Sequence, residues 1–582
     1  MIRPSSSPRS EAPALVEGRR AILLRVAPFL LLGALCAGLY LPFLDNPLVF
    51  DDLGLYRNQR LSDLAVSPFN GSLRQFPNFT LAAIDVIFEE RGLMANRFFA
   101  LLAHLTAACL VVVLVRRLCE QCEPCEPCEQ SQAAPGTPAS KLREHASFYA
   151  TITGAVFAAH PVAVYGAGYL IQRSIVFATI FAILTILLFE QSVRERRIKL
   201  LLAAAFMYAM AVFSKEHAIM VAVATAVVVP LWRQRFRQDL KWVVSYLILC
   251  APVALYVIGL RKNELGSATE PEVAGVMSMI GIPELATMTG QWLVSATIQT
   301  ALFFKYLAVW WFPNPAWLAV DFRIDFASRW ATPEAAFGVT SFFLLPIAAI
   351  LGIRSRHAAL GLAGFGILLS WMLFFPELAS ARFQEPWVLY RSYLWAPGIL
   401  LTLTALGSTL PTRFVALLAV VAVSAGVWLS LDRLHTFSSP LALWEDAASK
   451  LEREDLPGSP RIFFNTGVEL LRGGHLERAG HQFRRIVAVS PQDFRGPYGL
   501  AITALRSNRL DEALESMDLA IKMRSNVGEI HMFRGVILEA LGRKADARSA
   551  YVLAVDLGEL GGKFRLEKLE RPIAIKLNSP PQ

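Results

Sequence analysis

The sequence predicts an all-α chain in two parts: a polytopic helical membrane domain of about eleven transmembrane helices, followed by an α-solenoid of helical repeats. Three observations carry that prediction. Hydrophobic residues make up 54% of the chain and charged residues only 18%, with a mean hydropathy of +0.44, which is not the composition of a soluble protein. Apolar runs close to the roughly 20 residues that a span requires recur between residues 21 and 431. Beyond them, small and bulky residues return at a fixed offset of 34 residues.

The chain opens on a polar, basic leader, 1–20, ending at Arg19-Arg20. The apolar run that follows is too long for a signal-peptide h-region and has no clear cleavage site, which predicts an uncleaved first span. Predicted spans cover 21–44, 97–116, 147–166, 174–191, 199–214, 216–232, 242–260, 336–353, 357–375, 392–408 and 412–430. Arg19-Arg20, Arg116-Arg117, Lys141 and Arg143, Arg194 to Lys199, Arg233 to Lys241, Arg354 to His357 and Arg413 then fall on one side. Basic flanks mark the cytoplasm, so the net charge of +9 reads as membrane orientation and no nucleic-acid partner is expected. Counting 292–312 as a further span would move the later basic clusters to the wrong side, so that stretch reads as an interfacial or re-entrant helix with Trp310-Trp311 at headgroup depth.

The membrane domain thus runs from 21 to 431, with a first extracytoplasmic loop at 45–96, a cytoplasmic loop at 117–146 and an extracytoplasmic loop with interfacial helices at 261–335. The cytoplasmic loop contains Cys119, Cys122, Cys125 and Cys128 at CxxC spacing. That spacing suits zinc or a redox pair, whereas its Glu-Pro filler is low-complexity and a reducing compartment disfavours disulfides. A linker helix is expected over 432–458, repeats over 459–558 and a tail over 559–582. An offset of 34 aligns Gly467, Ala501 and Gly535, then Ala479, Ala513 and Ala547, then Phe483, Met517 and Tyr551. This is the tetratricopeptide pattern, in which small residues let paired helices approach and a bulky one fills the gap to the next. Three such repeats predict a surface that docks a protein.

Polar residues gather on the extracytoplasmic side. Asp51-Asp52 follows the first span. Adjacent carboxylates raise the pKa of one partner, which makes the pair a candidate general base, or a site for a divalent metal. The plainer reading is a helix N-cap. Arg173, Lys215 and Arg391 are candidate phosphate ligands, Arg as a planar fork and Lys as a point charge. Arg74, His104, His160, Gln172, Glu216, Glu385, Tyr390 and Tyr393 are candidate supporting residues. Against each stands a structural reading: an ion pair between helices for the charged groups, a hydrogen-bonded packing residue for the histidines.

Taken in order, FDD at 50–52, His104, HPVAVYGAGYLIQR at 160–173, SKEHA at 214–218, KYLAVWWFPNP at 305–315, YRSYLWAPG at 390–398 and ALWEDA at 442–447 resemble one family. The pattern is similar to the animal tetratricopeptide-and-transmembrane O-mannosyltransferases and their bacterial relatives, membrane glycosyltransferases of the C-type (GT-C) fold. The resemblance covers nearly the whole chain. It implies a polyprenyl-phosphate-linked sugar as donor, Asp51 or Asp52 as base, and Arg173, Lys215 and Arg391 on the lipid phosphate. Tyr390 stands where the family has a His and Leu389 where it has a Glu, a place that Glu377 or Glu385 could take; the Cys-rich insert has no counterpart. The expectation is an inverting transfer of sugar to Ser or Thr of an extracytoplasmic protein docked by the repeats, with no cofactor required, in a bacterial inner membrane with site and repeats on the periplasmic side. Two other readings remain: transfer to an envelope lipid or polysaccharide, and a non-enzymatic scaffold for secretion or pilus assembly.

Overall fold

The computed structural model describes residues 12–58, 61–121, 138–267, 270 and 272–570. Among them every regular element is a helix. The chain forms two compact units, one of Met1–Leu318 with Asp325–Ser439, the other of Ala319–Ile324 with Pro440–Gln582.

In the first unit each predicted apolar run lies on a helix. Eight helices are long and apolar enough to cross a membrane: Val26–Phe43, Gln75–Glu120, Leu170–Glu195, Phe236–Arg261, Met288–Trp311, Pro333–Arg354, Ala358–Leu378 and Thr412–Thr436. A ninth candidate is the pair Ala146–Ala159 and Pro161–Ala167, bent by 65° where Pro161 interrupts the helical hydrogen bonds. Three predicted spans, Ile198–Ser214, Glu216–Trp232 and Ala396–Ser408, are shorter. At a rise of about 1.5 Å per residue, 17 or 13 helical residues reach only about 20–26 Å, against roughly 30 Å of hydrocarbon. They fall short because the helix stops at a polar residue: Lys215 is extended at φ −154° and ψ 122°, and a 3-10 turn, Leu389–Tyr393, precedes Ala396.

Met288–Trp311, expected as an interfacial or re-entrant helix, is one continuous helix of 24 residues, long and apolar enough to be a candidate span. Its side chains nonetheless lie along a single interhelical loop. Trp292 donates to Leu378 O at 2.8 Å, Ser295 accepts from Arg382 N at 2.8 Å, Gln299 donates to Pro386 O at 2.9 Å and Trp310 donates to Ser392 Oγ at 2.9 Å. That loop joins Ala358–Phe374 to Ala396–Ser408, whose backbones meet at Gly366 and Gly398, where any Cβ would strike the facing chain.

The second unit is a helical solenoid. Second helices of successive pairs open at Leu476, Leu510 and Lys544, and the left-handed turn residue before each, Gly474, Asn508 and Gly542, recurs at the same interval. Ala479, Ala513, Ala547, Phe483, Met517 and Tyr551 are all fully buried. Where the bulky residue is aromatic its partner is glycine: a Cβ on Gly467 would meet the Phe483 ring, and one on Gly535 the Tyr551 ring. Where it is Met517, the partner is Ala501. The predicted linker is not one helix; Thr412–Thr436 runs beyond 431 and Pro440–Ser449 is separate. Ala319–Ile324, expected in an extracytoplasmic loop, belongs to this unit, where Asp321 is buried between Arg323 at 2.8 Å and Arg461 at 3.1 Å.

Gly535→Ala is expected to cost about 1–3 kcal/mol by overpacking and to lower the melting temperature of the solenoid. Adding Tyr551→Met, which reproduces the Ala501–Met517 combination, should recover most of the loss. Thermal melts followed by circular dichroism check both; a Gly535→Ala chain melting like wild type would refute the steric pairing.

Candidate functional site

The acidic loop is positioned by one buried guanidinium. Arg97, 7% exposed, donates to Asn46 O at 2.8 Å, Pro47 O at 2.5 Å and Gly168 O at 2.9 Å, three carbonyls that belong to no helix ladder. Asn46 in turn donates to Leu434 O at 3.0 Å. The segment 46–52 is thereby fastened to the turn 168–172. Phe50 then adopts a left-handed φ of 51°, a conformation that costs a bulky residue of order 1–3 kcal/mol, and helix Asp51–Asn58 begins.

The two aspartates face different surroundings. Asp51 is exposed, and its amide donates to the Tyr169 hydroxyl at 2.8 Å. Asp52 is 1% exposed and accepts from Ile171 N at 2.9 Å. Burial pushes its pKa up to about 6, against the pull of the Ile171 amide and Arg97. The two aspartates open a helix, as its first two residues and not as its N-cap, and Asp52 is the member that holds the turn. Among the described residues no group of three or more His, Cys, Asp or Glu side chains could hold a metal ion, so a divalent metal at this pair would have fewer than three such protein ligands.

Opposite lies a cluster of cations at the helix breaks. Lys215, 2% exposed, donates to Gln172 Oε1 at 3.3 Å and sits 5.2 Å over the Tyr390 ring. Burial pulls its pKa down to about 7, with Arg74 and Arg391 adding to the effect and Glu216 and Glu377 opposing it. Arg74, itself left-handed at φ 62°, grips Glu216 with Nε at 3.0 Å and a second contact from its terminal nitrogen. Glu377 is shared by Arg391 at 2.8 Å, Arg382 at 3.3 Å and His217 at 3.2 Å, while Glu385 lies 3.7 Å from Arg391. Nε of Arg391 is buried with no hydrogen-bond partner, while Nε of Arg382 faces Glu377 at 3.3 Å.

Two tyrosines connect the halves. Tyr390, against Lys215 on one side, lies 6.5 Å from Tyr169 between ring centroids, and Tyr169 accepts from Asp51. Asp51, Gln172, Lys215, Glu216, Arg74, Tyr390, Arg391 and Glu385 are thus brought into one region. Arg173 is not part of the cation cluster: its guanidinium is bonded to Asn96 O and Oδ1, both at 2.8 Å, and to Thr80 at 3.3 Å. His104 and His160 follow the packing reading. His104 bridges Tyr393 at 2.7 Å and Ala158 O at 3.1 Å; His160 accepts from Val162 N at 3.2 Å and stacks on Trp310 at 4.2 Å.

Sequence reading missed Arg97, Tyr169, His217 and Arg382. Tyr169 and His217 lie inside motifs that were singled out, three places from Gln172 and one place from Glu216 respectively, whereas nothing local marks Arg97. Of the CxxC run, Cys119 is buried on helix Gly92–Glu120; Cys122, Cys125 and Cys128 lie outside the described residues.

The tetratricopeptide-repeat family model matches residues 464–527 and 498–560. The solenoid is built of tetratricopeptide repeats. The match covers the tail alone, and repeats of this kind present protein-docking surfaces. No curated protein matches the chain. Among solved structures, the crystal structure of yeast Tom70 aligns at 12% identity over 75% of this chain and 80% of that one, with a TM-score of 0.19, too low for a shared fold to be argued from it.

Replacing Arg97 with Gln leaves buried carbonyls without donors, a loss expected to exceed about 3 kcal/mol since each charge-assisted bond contributes roughly 1.5–3 kcal/mol. Arg97→Lys should recover only part, because an ammonium lacks the planar fork. Thermal unfolding of the purified chain in detergent checks the ranking wild type, Lys, Gln.

Proposed function

We propose that this protein is a membrane glycosyltransferase that moves a sugar from a polyprenyl-phosphate donor to a Ser or Thr hydroxyl of an extracytoplasmic protein. The observation that carries the reading is the gathering of three cations, buried Lys215 and Arg391 and partly buried Arg382, around Glu377, with Nε of Arg391 lacking a hydrogen-bond partner. Tyr390 and Tyr169 link them to the exposed Asp51. A buried donor without an acceptor calls for a ligand, and cations in a water-poor site favour a phosphate. Glu377 is divided between two guanidiniums, with Glu385 farther off at 3.7 Å from Arg391, so an added anion would relieve repulsion between them.

In the proposed reaction the acceptor oxygen attacks the anomeric carbon, the bond from that carbon to the phosphate oxygen breaks, and configuration inverts. Asp51 takes the hydroxyl proton. The polyprenyl phosphate leaves with the electron pair, its new charge stabilised by Lys215, Arg391 and Arg382. Arg74 and Glu216 hold the Lys215 hairpin, Glu385 stands beside Arg391, and Arg173 and Asp52 position the turn that carries Gln172. No step needs a metal. The apolar helices suit a bacterial inner membrane, with the arginine-rich ends cytoplasmic and the site periplasmic. The repeats follow the last span, whose end, at Leu434, is bonded to Asn46 beside the acidic loop, and we assign them to docking the acceptor protein.

Intact-mass analysis of extracytoplasmic proteins tests the reading. Cells with wild-type protein should carry a hexose- or pentose-sized addition on one or a few proteins that Asp51→Asn removes, with transfer falling by about 10²–10⁴ as for a lost general base. Asp52→Asn should insert and lose less than about tenfold. A fully active Asp51→Asn protein would end the catalytic assignment. Mass changes confined to glycolipids would redirect the acceptor, and no change anywhere would favour a scaffold.

Lys215 sets a pH limit. Its cationic form is complete well below about 7 and disappears above it, so kcat/KM should fall as pH rises through that value. Lys215→Arg should keep the charge and remove the alkaline fall; a fall unchanged in that variant would assign it to another group.

A further inference from the structure

The end of the first unit away from the candidate site has a polar network of its own. Glu190, buried on Arg173–Glu195, meets Arg117 at 3.6 Å, Arg194 at 3.8 Å, Arg233 at 3.8 Å and Gln121 at 3.0 Å. Buried Asp239 meets Arg233 at 3.1 Å and Arg196 at 2.8 Å. Two carboxylates are thus surrounded by four guanidiniums, and the terminal nitrogen of Arg117 nearest Glu190 is buried with no hydrogen-bond partner. The same Arg117 reaches a cavity of about 230 Å³ between helices Ala12–Tyr40, Gly92–Glu120 and Ala146–Ala159. Its walls are apolar, Pro28 and Phe29 on the first helix and Val112 and Val113 on the second. Its rim is polar, with Arg116, Arg117, Glu120 and the Ser147 hydroxyl; Glu120 pairs with Arg116 at 2.7 Å.

We propose that this cavity binds the head of an anionic glycerophospholipid, the phosphate on Arg116 and Arg117, the Ser147 hydroxyl on a glyceryl oxygen, and the first methylenes against Val112, Val113 and Phe29. The assignment rests on the membrane reading given above. Three features select this occupant. A cavity between spans with apolar side chains and arginines in its lining matches an amphiphile with a charged head. Among its described lining residues two arginines face one carboxylate, Glu120, which favours an anionic head over a cationic one. The cavity has room for a phosphate and its glyceryl carbons, not for a protein segment. A lipid here would hold the Arg117 side chain from the cavity side while its terminal nitrogen faces Glu190, and so stabilise the Glu190 network, which ties together three helices.

The test uses the full chain purified in detergent, with dioleoyl phosphatidylglycerol, dioleoyl phosphatidylcholine or glycerol 3-phosphate added and thermal unfolding as the readout. Phosphatidylglycerol is expected to raise the melting temperature by several degrees, and the other two by no more than a fifth of that. Val113→Trp, which fills the slot without touching a charge, and Arg116→Gln should each remove at least half of the shift. An equal shift with phosphatidylcholine, or a full phosphatidylglycerol shift in Val113→Trp, overturns the site. Carbonate extraction separates the two readings. A chain that stays in the membrane but ignores phosphatidylglycerol loses only the lipid site, whereas a chain washed off loses the membrane reading as well.

Discussion

In a bundle of apolar helices, every backbone N–H and C=O freed by a helix break must find a partner inside the protein, since hydrocarbon offers none. At three of the helix breaks in the first unit, the surrounding residues are explained by this demand. At the Ala159–Pro161 bend, His104 lies 3.1 Å from Ala158 O, Ser430 donates to Ala159 O at 2.8 Å and His160 accepts from Val162 N. On the loop before Ala396, Tyr306 both accepts from Val388 N and donates to Val388 O. Around the acidic loop, Arg97 takes three carbonyls. The breaks are what allow polar side chains to converge, and residues such as His104 are present to make the breaks tolerable.

Charge is handled by sharing. Isolated ions cannot be buried at acceptable cost, yet full pairing would leave nothing to meet a substrate. The cation cluster lies between those limits: Glu216 is shared by Arg74, Arg261 and His217, and Glu377 by Arg391, Arg382 and His217. Lys215 rests on the Gln172 amide oxygen and the Tyr390 face, and burial, with Arg74 and Arg391 near, pulls its pKa down to about 7. The tetratricopeptide unit shows the contrasting arrangement, with exposed i,i+3 pairs such as Arg509–Glu512 and Arg543–Asp546 that contribute little.

What could be read from the sequence follows from how local each cause is. The solenoid was legible because its steric rule repeats within one period: Gly467 with Phe483, Ala501 with Met517, Gly535 with Tyr551. Apolar runs were legible as helices, and so was the break at Lys215, which parts 199–214 from 216–232 and ends the helix Ile198–Ser214. The start of the 392–408 run was not, because the turn Leu389–Tyr393 holds its first residues off the helix for reasons of tertiary placement. Lys215, Glu216, Arg391 and Tyr390 could be grouped from motif order, since each sits at a helix end. Arg173 was misassigned to that group because its partner Asn96 lies 77 positions away. Arg97 carries no local mark at all: it looks like any arginine opening a span until the carbonyls of Asn46, Pro47 and Gly168 are placed around it.

The division between Asp51 and Asp52 shows how a local rule and a tertiary one combine. Consecutive residues on a helix point about 100° apart, so two aspartates at the start of one helix meet different surroundings. Leu55, buried on Asp51–Asn58, lies within a turn of both and does not choose between them; the turn 168–172, to which Arg97 fastens the segment, does, and Asp52 is the one that meets it. Its carboxylate then has to be satisfied, and the Ile171 amide next to Gln172 and Arg173 does so. The neighbour, Asp51, stays exposed with its amide held by Tyr169. A pair that looks redundant in the sequence thus becomes one positioning residue and one exposed candidate, and the tertiary placement of the 168–172 turn makes the split.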